Sequence, residues 1–154
     1  MQTIEDLIAR TPVFAGLEAE QLKLIAACGW NEHVPAGAML LREGDPAERF
    51  FLIRRGAVAL EVDAPAGGPL TIETLHPGDV VGWSWLFAPF RWQLDGRVTE
   101  PSDLIAFDGA CLRGKCDADH ELGYQLMTRF AANVIDRLQA TRLQLIDVYG
   151  RAPA

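Results

Sequence analysis

Apolar residues recur at helical spacing at both ends of this chain and at strand spacing in its middle. Near the start, residues 3–9 and 17–27 carry apolar positions three or four apart, with Pro12 between the two runs. This pattern predicts two short N-terminal helices within about residues 3–27. From about residue 30 to 107, short alternating or apolar runs are separated by turn residues at intervals of about ten, which is typical of a β-sandwich or barrel.

The predicted strands of this middle region are bounded by glycine, proline or aspartate. They cover residues 39–42, 50–54, 58–62, 70–75, about 92–98, and 104–107. Asp108 follows as the predicted N-cap of a short helix. A long amphipathic helix is then predicted from about residue 119 to 149, with Gly123 as a position where it could bend.

The long helix carries one nearly continuous apolar stripe, which could cover its own β region or the same stripe of a second subunit. We predict a homodimer, because the far half of such a helix has little of its own domain to cover. The predicted interface residues are Phe130, Val134, Leu138, Thr141 and Leu145.

Size and charge narrow the class of protein. The 154 residues suit one domain, predicted to span residues 1–154. A net charge of −7 argues against nonspecific binding to nucleic acid or to an anionic membrane. No apolar run approaches the roughly 20 residues that cross a bilayer, and the N-terminus lacks a signal-peptide pattern. We therefore expect a cytoplasmic protein with no membrane contact.

The cysteines and histidines give no clear sign of catalysis or metal binding. Cys28, Cys111 and Cys116 are sparse and odd in number, which predicts ordinary thiols in a reducing compartment. The spacing of Cys111 and Cys116 fits neither zinc nor haem, although a thiol-based redox role stays open. The histidines are isolated, and Ser84 has no obvious general base. We predict no enzyme activity and no metal site.

One segment, residues 75–92, has the layout of a phosphate-binding cassette. A Pro-Gly-Asp turn leads to two valines and Gly82, and a stretch that could form one helical turn runs on towards Arg91. Backbone N–H groups freed at a glycine and at the start of a helical turn attract anions, and an arginine adds a planar donor fork. The predicted ligand-binding residues are Gly82, Trp83, Ser84, Arg91 and Trp92.

The order of motifs resembles the cyclic nucleotide-binding domain, the sensor module of catabolite-activator regulators and of kinase A regulatory subunits. The resemblance runs from about residue 4 to 145. It rests on a Pro-x-Phe-x-x-Leu opening at residues 12–17, on the strand and glycine at residues 50–56, and on five spaced glycines: Gly37, Gly44, Gly56, Gly78 and Gly82. It implies a mainly β (α+β) fold. A jelly-roll-like β roll at about 30–107 would lie between the N-terminal helices and C-terminal helices at about 109–149.

The cassette departs from the family pattern at three places. The glutamate that follows the last glycine, and accepts a hydrogen bond from the ribose, is replaced by Trp83. The family's Pro-Arg pair becomes Pro89-Phe90-Arg91, and the usually small residue after the arginine is Trp92. Only Arg91 carries over, as a phosphate ligand. Losing a charged hydrogen-bond acceptor typically costs about 1.5–3 kcal/mol, or roughly ten- to more than a hundredfold in affinity.

The sequence is compatible with more than one role for the aromatic residues and for Arg91. Trp83, Trp85 and Trp92 could pack in the core, fill the pocket, or stack on a base. Arg91 could bind an anion or form an ion pair with a carboxylate such as Asp95.

The sequence therefore predicts a non-enzymatic regulatory or sensory module with a degenerate phosphate cassette. It would bind a nucleotide-like or other anionic ligand weakly or not at all, and signal through its C-terminal helix. The alternatives are a ligand-free dimerisation scaffold, a true sensor of cyclic AMP or cyclic GMP, and a thiol-based redox sensor. Gly109, Gly114 and Gly123 are candidate hinges. Because a helix-turn-helix follows the long helix in transcription-factor relatives but not in this sequence, we expect no direct DNA binding and output through an unidentified partner protein.

Overall fold

A computed structural model of the chain describes residues 2–150. The elements follow the predicted order of helices, strands and helices. They are α1 (Ile4–Ala9), α2 (Ala19–Ala26), β1 (Gly29–Val34), β2 (Met39–Leu41), β3 (Arg49–Asp63), β4 (Pro69–Leu75), β5 (Val80–Val81), β6 (Asp95–Asp108), α3 (Gly109–Ala118) and α4 (His120–Gly150). Thr3 caps α1, and the Asp108 side chain accepts a hydrogen bond from the Cys111 N–H at the start of α3, as predicted for that N-cap.

Two long strands form the centre of an antiparallel sheet with the order β1-β6-β3-β4. The β2 strand pairs with β6, and β5 pairs with β3. This arrangement confirms the predicted β roll, although its strands are longer than expected. The predicted strands at 50–54 and 58–62 are one strand, β3. The register of its pairing with β6 shifts around Gly56, which has a φ of +105°, but the pairing continues on both sides of this residue.

Two strands were not predicted from the sequence. The β1 strand does not alternate cleanly between exposed and buried residues, and β5 has only two residues. Both are defined by their partners, β6 and β3. Tertiary pairing therefore determines them more than local sequence does.

The core contains a stack of aromatic rings. Phe50 lies between Trp85 and Phe107, with ring centroids 4.5 and 4.6 Å away, and Phe130 meets both Phe50 and Trp85 edge-on. All four side chains are fully buried. The assignment of Phe130 to a dimer interface is therefore wrong, because its ring is already used to attach α4 to the β roll.

The α4 helix changes character along its length. Leu122, Leu126 and Phe130 are buried, whereas large apolar side chains from Ile135 onward are more than half exposed. The helix continues unbroken past Gly123, and a Cβ at this position would come within 3.2 Å of the Cys116 carbonyl oxygen. Gly123 therefore permits close packing of α3 against α4, and the helix does not break at this candidate hinge.

The cysteine prediction is wrong for two of the three residues. Cys28 and Cys111 form a disulfide with a Cα–Cα distance of 5.9 Å. They are 83 residues apart, but the Asp108 N–H donates to the Cys28 carbonyl, which places the start of α3 beside the end of α2. Cys116 is a free, buried thiol, and burial raises its pKa, with smaller contributions from Asp117 and Asp119. None of the described helices is long and apolar enough to span a membrane.

Candidate functional site

The cassette is a compact loop that leaves β5 and returns to the roll through Arg91. Gly82 turns the chain at φ +97°, and the Leu86 N–H then closes a turn onto the Trp83 carbonyl. Phe90 has a positive φ of 59°, which costs a side-chain-bearing residue free energy. It is held by hydrogen bonds at both its N–H and its carbonyl, and Arg91 then forms a β-bridge with Pro46.

The loop contains the unpaired backbone N–H groups and the arginine that the sequence predicts as ligands for an anion. Within residues 2–150, the N–H groups of Trp83 and Ser84 donate to no protein acceptor. Arg91 donates from Nη1 to the Gly44 carbonyl at 2.8 Å, and no described carboxylate lies within ion-pair distance of it. The alternative ion pair with Asp95 is not formed, because Asp95 instead accepts a hydrogen bond from the Glu43 N–H at 2.8 Å. The cassette therefore keeps a guanidinium that no carboxylate neutralises.

Trp92 lies against the glycine of the cassette. Two carbons of its six-membered ring are 2.7 Å from the position that a Cβ at Gly82 would occupy, and the side chain is 6% exposed. The Trp92 N–H donates to the Asp45 carbonyl, and the Gly44 N–H donates to the Trp92 carbonyl. The indole thus occupies the space over Gly82 and is fixed there by its own backbone.

Trp83 is half-buried and lines two cavities. The first, which we call the inner cavity, has a volume of about 260 Å³ and lies between the roll and α4, with Leu60, Ile72 and Leu138 in its walls. The second, which we call the cassette cleft, has a volume of about 510 Å³ and is lined by Ser84, Phe87, Arg91 and part of α4. Val134 also borders both cavities. The side chain that replaces the family's glutamate therefore stands where these two spaces adjoin.

The second half of α4 is attached to the β roll beside the inner cavity. Arg137 forms an ion pair with Glu73 on β4, and Gln144 donates to the Ile72 carbonyl at 2.9 Å. Both interactions link α4 directly to β4, whose residues Ile72 and Glu73 line the inner cavity.

Arg113 links the cassette to α3. Its Nη1 donates to the Trp85 carbonyl, and its guanidinium carbon lies 4.6 Å from the centroid of the Phe90 ring. Neither Arg113 nor Arg137 was predicted from the sequence as a functional residue. The signal that could have identified them was slight, since each is an ordinary helical arginine whose partner is distant in sequence.

The structure brings the predicted cassette residues together around one loop and separates the predicted interface residues into two groups. Phe130 and Val134 face the chain's own domain, whereas Leu138, Thr141 and Leu145 are exposed. Trp85 belongs to the core rather than to the site. Among residues 2–150, no group of three or more histidine, cysteine or acidic side chains is placed to hold a metal ion.

Comparison with known proteins gives a consistent picture. The family model described as "Cyclic nucleotide-binding domain" matches residues 31–119. The chain is 31% identical to a Geobacter metallireducens protein named for cyclic nucleotide binding, with a TM-score of 0.79 over 90% of this chain and 99% of that one. It is 25% identical to the N-terminal domain of a transcriptional regulator from Streptomyces coelicolor, with a TM-score of 0.69, covering 88% of this chain and 94% of that one.

Among curated proteins, the chain is 23% identical over 94% of its length to the CRP-like cAMP-activated global transcriptional regulator of Mycobacterium tuberculosis. The chain spans 63% of the length of that relative. More than a third of that relative's length therefore has no counterpart in the matched region.

Proposed function

We propose that this chain, which belongs to the cyclic nucleotide-binding domain family, is a non-enzymatic regulatory module whose cassette binds cyclic AMP and cyclic GMP weakly or not at all. Domains of this family are regulatory or sensory. The observation that carries the proposal is the position of Trp92, whose buried indole lies directly against Gly82. A ligand phosphate approaching the backbone at Gly82 would have to displace that ring.

The replacement of glutamate by Trp83 weakens nucleotide binding for a second, independent reason. None of the described residues that line the cassette cleft has a carboxylate that could accept a hydrogen bond from a ribose hydroxyl. Loss of such a bond is worth about 1.5–3 kcal/mol, or roughly ten- to more than a hundredfold in affinity. Displacement of a buried indole adds a further cost in lost packing.

The output of the module is proposed to pass through α4. This helix borders both cavities through Val134 and is tied to β4 through Arg137 and Gln144. Its last turns present exposed apolar side chains, including Leu145 and Ile146, that the chain's own roll does not cover. We propose that two copies pair through this surface and that a partner protein reads the position of α4.

Calorimetric titration of the purified protein tests the proposal. We expect no heat from cyclic AMP or cyclic GMP up to about 1 mM, which corresponds to binding weaker than about −4 kcal/mol. An Arg91→Ala variant is the control for the cassette. Micromolar binding that disappears in Arg91→Ala would overturn the proposal and identify a working cyclic nucleotide sensor.

A further inference from the structure

The cassette cleft differs in charge from four other cavities in the described part of the chain. Among residues 2–150, Arg91 is the one charged residue that lines the cleft, and no aspartate or glutamate of this range lines it. Each of four other cavities lined by residues 2–150 includes at least one carboxylate: Glu32, Asp79, Glu73 and Asp117, respectively. In a chain with a net charge of −7, a cavity with a cation and no anion is a distinctive environment for a negatively charged group.

The remaining walls of the cleft are predominantly apolar. Phe87, Pro89 and the Trp83 indole form the cassette side, and α4 contributes Ala131, Val134 and Ile135. The neutral polar side chains are Ser84 and Gln93, and Gln93 donates to the Arg91 carbonyl at 3.2 Å. Ligand pockets in proteins typically combine such apolar walls with a few polar groups that fix orientation, and about 510 Å³ lies within their usual range.

We propose that the cassette cleft binds a small apolar anion, with a carboxylate or phosphate monoester head on Arg91 and an aromatic body against Trp83 and Phe87. This inference rests on the proposed function, since it names the ligand class of the same site. An aromatic body needs no hydrogen-bond acceptor in place of the ribose-binding glutamate. It also lies beside the cassette without entering the space that Trp92 occupies over Gly82.

Arg91 has donors left for the head group. The Arg91 guanidinium uses Nη1 for the Gly44 carbonyl, which leaves further N–H donors of its planar fork for a ligand. The free N–H groups of Trp83 and Ser84 lie on the same loop. Binding of a ligand between Arg91 and Ile135 would bridge the cassette and α4 directly, since the cleft is lined by both.

The test is a titration of the whole chain with 3-phenylpropionate, phenyl phosphate, inorganic phosphate and cyclic AMP, followed by calorimetry and tryptophan fluorescence. We expect 3-phenylpropionate or phenyl phosphate to bind at least tenfold more tightly than inorganic phosphate, and to change the fluorescence. Whichever of these two compounds binds more tightly shows whether the cleft prefers a carboxylate or a phosphate head group. The neutral analogue 3-phenylpropanol should bind at least tenfold more weakly than 3-phenylpropionate.

Two variants and a control locate the binding. Arg91→Gln should weaken the apolar anion at least tenfold, and Phe87→Ala should weaken it several-fold. Arg55→Gln is the matched control, because it removes an arginine charge from a side chain that is 83% exposed and lies outside the cleft. It should leave binding unchanged. Circular dichroism of each variant separates loss of a contact from loss of fold.

Absence of binding by both aromatic anions up to about 10 mM, or equal binding to Arg91→Gln, would overturn the inference while leaving the proposed loss of nucleotide binding intact. Binding seen only after α4 pairing is broken by Leu145→Asp would also overturn it, since the cleft would then be covered by a second copy. Tight cyclic AMP binding would instead contradict the proposed function itself.

Discussion

Trp92 and Gly82 are in direct contact across the cassette, with the indole resting on the face of the glycine where a Cβ would project. Gly82 also has a φ of +97°, a conformation that residues with side chains rarely adopt. Glycine is therefore required at this position for two reasons, backbone conformation and ring packing.

Gly82→Ala is expected to destabilise the protein by about 3 kcal/mol, combining about 1 kcal/mol of backbone strain with the cost of displacing the Trp92 ring. Gly37→Ala is the matched control, because Gly37 has a φ of +91° and nothing within 4 Å of an added Cβ. It should cost about 1 kcal/mol from strain alone. Urea unfolding of both variants measures the difference. Equal losses would show that the Trp92 contact contributes nothing.

The disulfide predicts a dependence of stability on reducing agents. It closes a loop between residues 83 apart, so its loss by reduction or by Cys111→Ser should lower the free energy of unfolding by about 4 kcal/mol. Thermal unfolding with and without a reductant measures this change, and Cys116→Ser is the control because Cys116 is free. Alkylation of all three cysteines in the unfolded, unreduced protein would contradict the pairing.

An ion pair between buried Glu61 and half-buried Arg97 predicts part of the protein's acid sensitivity. Arg97 donates two hydrogen bonds to Glu61, at 2.9 and 3.0 Å, and these bonds hold the pKa of Glu61 below its ordinary value against the opposing effect of burial. A carboxyl whose pKa is lowered by folding stabilises the folded state above its unfolded pKa. That contribution is lost as the pH falls through its folded pKa.

Glu61→Gln should therefore cost about 2 kcal/mol at pH 7, and the difference from the native protein should shrink as the pH falls below about 4. Urea unfolding at a series of pH values gives this comparison. The exposed Glu100→Gln is the control and should have little effect at any pH. A difference that stays constant from pH 7 to pH 3 would exclude the proposed linkage.

The exposed end of α4 predicts the oligomeric state. Leu145 is 51% exposed, whereas Phe130 is fully buried in its own domain. Light scattering at tens of micromolar should show a dimer for the native chain and a monomer for a folded Leu145→Asp variant, because the new charge would lie in an apolar interface. Gln139→Asp makes the same charge change on an exposed polar position of α4 and should remain dimeric. A native protein that is monomeric at this concentration would contradict the prediction.

The parts of the fold that could be predicted from the sequence are those with strong local signals. The α4 helix follows from a repeating apolar stripe, and the N-cap at Asp108 from its residue type and position. The β1 and β5 strands lacked such signals, and the continuity of β3 through Gly56 depends on β6. Likewise, the change from buried to exposed apolar residues between Phe130 and Ile135 of α4 depends on how the β roll packs against the helix, which no local pattern in the helix records.

In the candidate site, too, some features follow from local sequence signals and others only from tertiary contacts. The cassette and Arg91 could be recognised from the order of glycine, turn and arginine. Contacts between residues distant in sequence could not, and these include Trp92 on Gly82, Arg113 on Phe90, and the pairing of Cys28 with Cys111. Each of these contacts is created when separate elements pack together, so it has no counterpart in local spacing.

The most direct test of the degenerate cassette is a calorimetric titration with cyclic AMP of the native chain beside the double variant Trp83→Glu, Trp92→Ser. The variant restores a carboxylate acceptor and clears the face of Gly82. We predict no measurable binding to the native chain up to about 1 mM and at least tenfold tighter binding to the variant. Micromolar binding to the native chain that the double substitution weakens would contradict this account, because the two tryptophans would then be ligands of the nucleotide.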